Sequence, residues 1–181
     1  MKRYLFSTVI LLTLSAGCTT VPEKKETRDV LSAEVREAIA LFKSADPSIQ
    51  SFFDNAYGYA VFPRVTKGAF WVGGAYGRGE VFERGRKIGY ASLSQATLGF
   101  SFGGEFFREI VFFRQKQDLD RFRSGEFAFS AQATATAVTV GAAAKSDYKD
   151  GMAVFIMADR GLMVDASVGG QKFKFVEGVM K

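Results

Sequence analysis

The chain contains no histidine. That removes the Ser-His-Asp and Cys-His nucleophile systems, the two-histidine zinc-protease helix and the usual proton carrier near neutral pH. Its single cysteine, Cys18, excludes an internal disulfide, a cysteine-built metal cage and an iron-sulfur cluster, so no metal or cofactor is expected. Proline is scarce, 3 in 181 residues. The most apolar run, Tyr4 to Leu14, is about half of the roughly 20 residues that a transmembrane helix requires. What is abundant is ordinary for a globular protein: 48% hydrophobic and 24% charged residues, with 19 Phe and 19 Gly.

Lys2 and Arg3, the apolar run to Leu14 and the small residues Ser15, Ala16 and Gly17 follow the order of an export signal. The string LSAGC, Leu14 to Cys18, resembles a bacterial lipoprotein box, in which the cysteine is acylated and becomes the mature N-terminus. Ser15 stands where the common box has leucine. The reading is a signal over residues 1–17, lipid attachment at Cys18 and a polar tether over 18–26. Thr19 in place of Asp resembles the outer-membrane-sorted lipoproteins of Gram-negative bacteria, so the expected location is the cell envelope, with the domain facing the periplasm or displayed at the surface. Several acyl chains hold a protein firmly where one does so only marginally.

Residues 27–181 have the length of one domain. Leu31, Val35, Ala38, Ile39 and Phe42 recur at three- and four-residue spacing, predicting an amphipathic helix over Arg28 to Ser44. Asp46 before Pro47 predicts an N-cap and a second short helix, closed by Gly58. Beyond Gly58 the period falls to two. Leu98, Phe100 and Phe102 alternate with small or polar residues, as do Phe127, Phe129, Ala131, Ala133 and Ala135. Gly77-Arg78-Gly79, Arg84-Gly85-Arg86 and Gly103-Gly104 carry turn composition, and about ten strands follow from this spacing, interrupted by a helix near Gln117 to Phe122. The fold class expected is α+β: a strongly curled or closed antiparallel sheet with N-terminal amphipathic helices packed against it. Ten of the 19 glycines lie between Gly68 and Gly104. Glycine inside strands implies bulges, bends or close approach, and sheet curvature explains them more simply than an acyl chain lying on a smooth face.

The strings AVFPRVTKGAFWVGGAYGRGEVFERG, IGYASLSQATLGFSFGGE, FFRQKQDLDRFRSGEF and GLMVDASVGGQKF resemble the SYLF domain, a lipid-binding or actin-patch type domain, over most of Ala56 to Phe175. The resemblance is to the bacterial, lipoprotein branch. It implies a non-enzymatic protein that binds membrane phospholipids, phosphatidylinositol lipids among them. In eukaryotic relatives binding is associated with an amphipathic segment and basic residues. The first helix is a poor polybasic anchor, since Thr19 to Asp46 holds five basic and six acidic residues. The excess lies between Arg64 and Arg123, with eleven basic and six acidic residues. Arg64, Lys67, Arg78, Arg84, Arg86 and Lys87 are the candidate headgroup-binding residues, on the expectation that hairpin ends bring them to one phosphate-gripping rim.

Other chemistries fare worse. Nucleic acid is not an expected partner: the product is exported and carries no helix-turn-helix, zinc or RNP pattern. Actin is implied by fungal relatives alone, and an exported lipoprotein is not expected to meet it. A catalytic carboxylate pair would fall on Glu105 and Glu109, with Arg108 in an ion-pair network beside them, but nothing in the sequence marks a cleft. No catalytic residue is assigned. The alternative to lipid binding is an envelope scaffold that holds a protein partner, with the lipid as tether only.

Overall fold

The computed structural model describes residues 21–22, 24–70, 72–98, 105–125, 128–129, 135–158 and 168–178. Helix α1 (Lys25–Ala45) begins inside the segment read as a tether. Its stripe Leu31, Val35, Ala38 and Phe42 is buried in one cluster with Val61, Tyr90, Ile110 and Phe112 of the strands. Asp46 ends it and starts the next element: its side chain accepts from the Ser48 amide at 3.1 Å, with Pro47 at the first position of a 3-10 turn. Helix α2 (Gln50–Asn55) follows and stops before Gly58, which opens the first strand instead of capping the helix.

Strands β1 (Gly58–Phe70), β2 (Val72–Glu83), β3 (Arg86–Leu98) and β4 (Glu105–Phe113) are long. Then come α3 (Lys116–Ser124), β5 (Ala128–Phe129), β6 (Ala135–Ala137), β7 (Met152–Ala158) and β8 (Val168–Glu177). Helix α3 is fixed at both ends, by a reciprocal Gln115–Asp118 capping box and by Gly125 at φ 75. The spatial order is β5-β8-β3-β2-β1-β4-β7-β6.

The α+β class holds, but the sheet is open and mixed, not the closed or strongly curled antiparallel sheet expected. Among the described residues no pairing joins β5 to β6, and β6 runs parallel to β7. The reason lies in the alternating run near residue 130. Its described parts are two short pieces that pair at opposite ends of the order, one with β8 and one with β7. Residues 138–151 supply the dozen or more residues that a parallel crossover needs. Eight strands are described where ten were expected, and the run Phe100 to Gly104 lies outside the described residues.

Two cores result. The outer face of the sheet carries α1, α2 and the 138–148 segment. The inner face packs Phe62, Val65, Leu93, Phe107, Val111 and Phe173 beneath Leu119 and Phe122 of α3. Across this core the rings of Phe62 on β1 and Phe173 on β8 meet at 5.6 Å.

Candidate functional site

The six candidate basic residues do not form one rim. Arg84, Arg86 and Lys87 lie at the β2–β3 turn, where Arg84 and Gly85 have φ 48 and 76, the paired positive values of a tight hairpin turn. The Arg84 guanidinium stacks over the Tyr57 ring at 5.0 Å, and Arg86 is exposed. Lys87 is engaged elsewhere. Its Nζ lies 2.8 Å from Glu80 Oε1 and 3.2 Å from Ser32 Oγ, while Ser32 donates to the same carboxylate at 2.6 Å. Burial works against the Lys87 charge, but the hydrogen bond and negative charge of Glu80 outweigh it and raise its pKa. A serine-lysine pair needs a lysine that gives up its proton. This one is held as a cation, and the trio pins α1 to β2 and β3.

Arg64, Lys67 and Arg78 sit some six residues, about 20 Å, further along the strands. None of them is in a loop. Lys67 is buried within β1 and has a partner of its own, so it offers nothing to the outer surface. Arg64 and Arg78 are direct cross-strand neighbours on β1 and β2. A bulge puts them there: the register slips between Val61 and Arg64, at Pro63, a residue that strands accept at bulges because it donates no ladder hydrogen bond. The expected turn at Gly77-Arg78-Gly79 is instead continuous strand. Its glycines admit the bulge, since a Cβ on Gly79 would run into the Val61 carbonyl oxygen and the Phe62 ring.

The two arginines face a cleft of about 290 Å³ between β1–β2 and the first turns of α1. Val30, Leu31 and Glu34 line it from the helix, with Pro22 just before it; Pro63 and Arg64 line it from β1, and Tyr76 and Arg78 from β2. Arg78 Nε donates to the Tyr76 hydroxyl at 3.4 Å. The Arg64 guanidinium lies 4.6 Å from the centre of the Phe106 ring, on which Arg108 also stacks at 5.7 Å. Among the described residues neither Arg64 nor Arg78 forms an ion pair with a carboxylate. Two like charges directly opposite on neighbouring strands destabilise the pair unless an anion lies between them.

Of the carboxylate pair weighed for catalysis, Glu109 is out of reach of solvent. Glu109 is fully buried on the inner face, and its Oε2 accepts from Gln171 Nε2 at 3.0 Å. Burial pushes its carboxyl up to about 7, against the Gln171 hydrogen bond, which acts downward. Arg108 points to the other face, over Phe106. The Glu105 side chain and Cys18 lie outside what is described. Sequence reasoning missed Glu34, Tyr76 and Phe106 as members of the site. Only the register and the helix placement bring them to Arg64 and Arg78.

Residues 94–177, from the second half of β3 to the end of β8, match the family described as Ysc84: Las17-binding protein actin regulator. Over these 84 of its 181 residues the chain is similar to the Ysc84, or SYLF, family. The match covers β4, α3 and β5 to β8, while the cleft lies on the elements that precede it. The chain is also 28% identical over 150 residues to Beta cell expansion factor A of Aeromonas veronii. That alignment covers 82% of this chain and 57% of the relative, so the chain spans little more than half of that protein's length.

Proposed function

We propose that the protein is a non-enzymatic, lipid-anchored component of a bacterial cell envelope that binds phospholipid headgroups. In this reading residues 1–17 are removed, Cys18 is acylated and held in the outer membrane, and the SYLF-type domain meets the membrane surface with its basic outer face. The observation that carries the reading is the Arg64–Arg78 pair. Two guanidiniums that form no ion pair among the described residues stand side by side in a mainly apolar cleft, beside the segment that leads back to Cys18. Arg84 and Arg86 add charge at the hairpin tip, where inositol lipids with several phosphates are an accessible ligand class. Lys67 and Lys87 contribute to neither.

Two measurements test this. Radiolabelled palmitate is expected to enter the full-length protein and not the Cys18→Ser variant. A soluble chain starting at Thr19 is expected to float with anionic liposomes in low salt, and failure to do so removes direct lipid recognition. The description of the matched family, a Las17-binding actin regulator, favours a second reading in which the domain holds a protein partner and the lipid is only a tether. Capture of an envelope protein that is unaffected by added lipid would support it.

A further inference from the structure

The cleft carries charge of both signs. Glu34 of α1 lines it together with Arg64 and Arg78, yet among the described residues it pairs with neither. Three ionised side chains thus share about 290 Å³ without neutralising one another. That volume sits at the bottom of the roughly 300–1,000 Å³ range of small-molecule pockets, so it suits a headgroup and not a whole lipid. A purely anionic ligand would meet the arginines favourably and Glu34 unfavourably. A ligand with a phosphate at one end and an ammonium at the other meets both. Tyr76 supplies an aromatic ring and a hydroxyl already held by Arg78, and Val30, 57% exposed, leaves an apolar lip where acyl chains would depart.

We propose that the cleft binds an aminoalkyl phosphate, the zwitterionic head of a phospholipid, with the phosphate between Arg64 and Arg78 and the ammonium toward Glu34. This rests on the headgroup-binding reading and narrows it. The arginines supply most of the attraction through charge-assisted hydrogen bonds, and Glu34 supplies the choice between ligands. Phe106 stacks on the Arg64 guanidinium, which limits the side-chain entropy lost on binding.

The test is a titration of the full-length protein, in a non-ionic detergent, with O-phosphoethanolamine, glycerol 3-phosphate and inorganic phosphate, followed by phosphorus NMR line broadening. O-Phosphoethanolamine is expected to bind roughly tenfold more tightly than either of the others, a difference of about 1.4 kcal/mol. Glu34→Gln is expected to erase that preference while leaving phosphate binding intact or stronger. Arg64→Ala and Arg78→Ala are each expected to weaken all three ligands by roughly tenfold or more. Each changes a side chain that is not buried, and an unchanged thermal melt shows that the fold is kept. Equal or tighter binding of inorganic phosphate by the unmodified protein overturns the zwitterionic assignment. Unchanged binding in both arginine variants overturns the site. Flotation distinguishes that failure from failure of the parent reading. If the Arg64 and Arg78 variants still float and Arg84 and Arg86 variants do not, headgroup binding survives at the hairpin tip; if the unmodified chain does not float, the parent reading itself fails.

Discussion

Glu109→Gln separates the proton on Glu109 from its packing. Among the described residues Glu109 has one hydrogen bond, from Gln171, while its own Oε1 and the Oε1 of Gln171 have no partner. Two acceptors without a donor are costly in a buried site, and a protonated carboxyl supplies the donor. Burial, opposed by the Gln171 hydrogen bond, moves the Glu109 carboxyl from an ordinary 4.5 to about 7. Between those two values the folded chain holds a proton that the unfolded chain has released. The contribution of Glu109 to stability is therefore fully present below about pH 4.5 and is lost as pH rises through the window to about 7. At about 1.4 kcal/mol per pH unit this amounts to about 3 kcal/mol. The chain has no histidine, so apart from a terminal amine no other group titrates ordinarily there. Urea denaturation at several pH values between 5 and 8 on the ordinary pH scale is the assay. The unmodified protein is expected to lose midpoint as pH rises to about 7 and to level off beyond it, with an unchanged m-value, whereas Glu109→Gln, which keeps a neutral donor and acceptor, stays flat and is the more stable protein at the alkaline end. Parallel curves for the two proteins would refute the reasoning, because they would show that the Glu109 carboxyl does not change state in this range.

Asp46 makes the opposite pH prediction. Burial works against its charge, but bonds from the Ala143, Gly141 and Ser48 amides and the Ser48 hydroxyl lower its pKa, so its contribution is present above the ordinary 3.8 and is lost on acidification below it. Asp46→Ala unpins the 138–146 segment and is expected to cost about 2–4 kcal/mol in chemical denaturation at neutral pH. Gly79→Ala is expected to cost about 1–3 kcal/mol, since its methyl group must displace the Val61 carbonyl or the Phe62 ring; a melt within a degree of the unmodified protein would show that the bulge is not as closely packed as the geometry states.

Local periodicity was enough for the helices. The stripe from Leu31 to Phe42 and the Asp46-Pro47 stop are properties of neighbouring residues, and both stand where the pattern places them. The sheet was legible as strands but not as a surface. Gly77-Arg78-Gly79 has the composition of a turn because close backbone approach and tight turning both require the absence of a Cβ, and composition cannot tell the two apart. Pro63 was the missed sign: a proline inside a strand run marks a bulge, and that bulge sets which residues of β1 face Arg78. The rim of six basic residues failed for the same reason. Whether Arg64 lies beside Arg78 or beside Arg84 is a matter of register, a long-range property. Lys67 shows the limit most clearly, since counting charges assigns it to the surface and the pleat turns it inward.

A shallow cleft with few contacts is a reasonable binding site only if something else brings its ligand near, and the proposed anchor does so. Four residue steps separate Cys18 from Pro22, which lines the cleft, a reach of at most about 14 Å. The headgroup layer on each side of a bilayer is about 5–8 Å thick. A domain tethered so closely meets headgroups at an effective concentration in the mM range or above. An intrinsic Kd of about 1 mM, about −4 kcal/mol, then keeps the cleft substantially occupied. Flotation with mM lipid reaches the same regime without the anchor. Tight, enclosed binding would add little to residence at the membrane, which the proposed acyl chains would fix, and would slow exchange between lipids. In the proposed arrangement an open cleft, whose Arg64, Arg78 and Glu34 form no ion pair among the described residues, would orient the domain and select among headgroups, leaving attachment to Cys18.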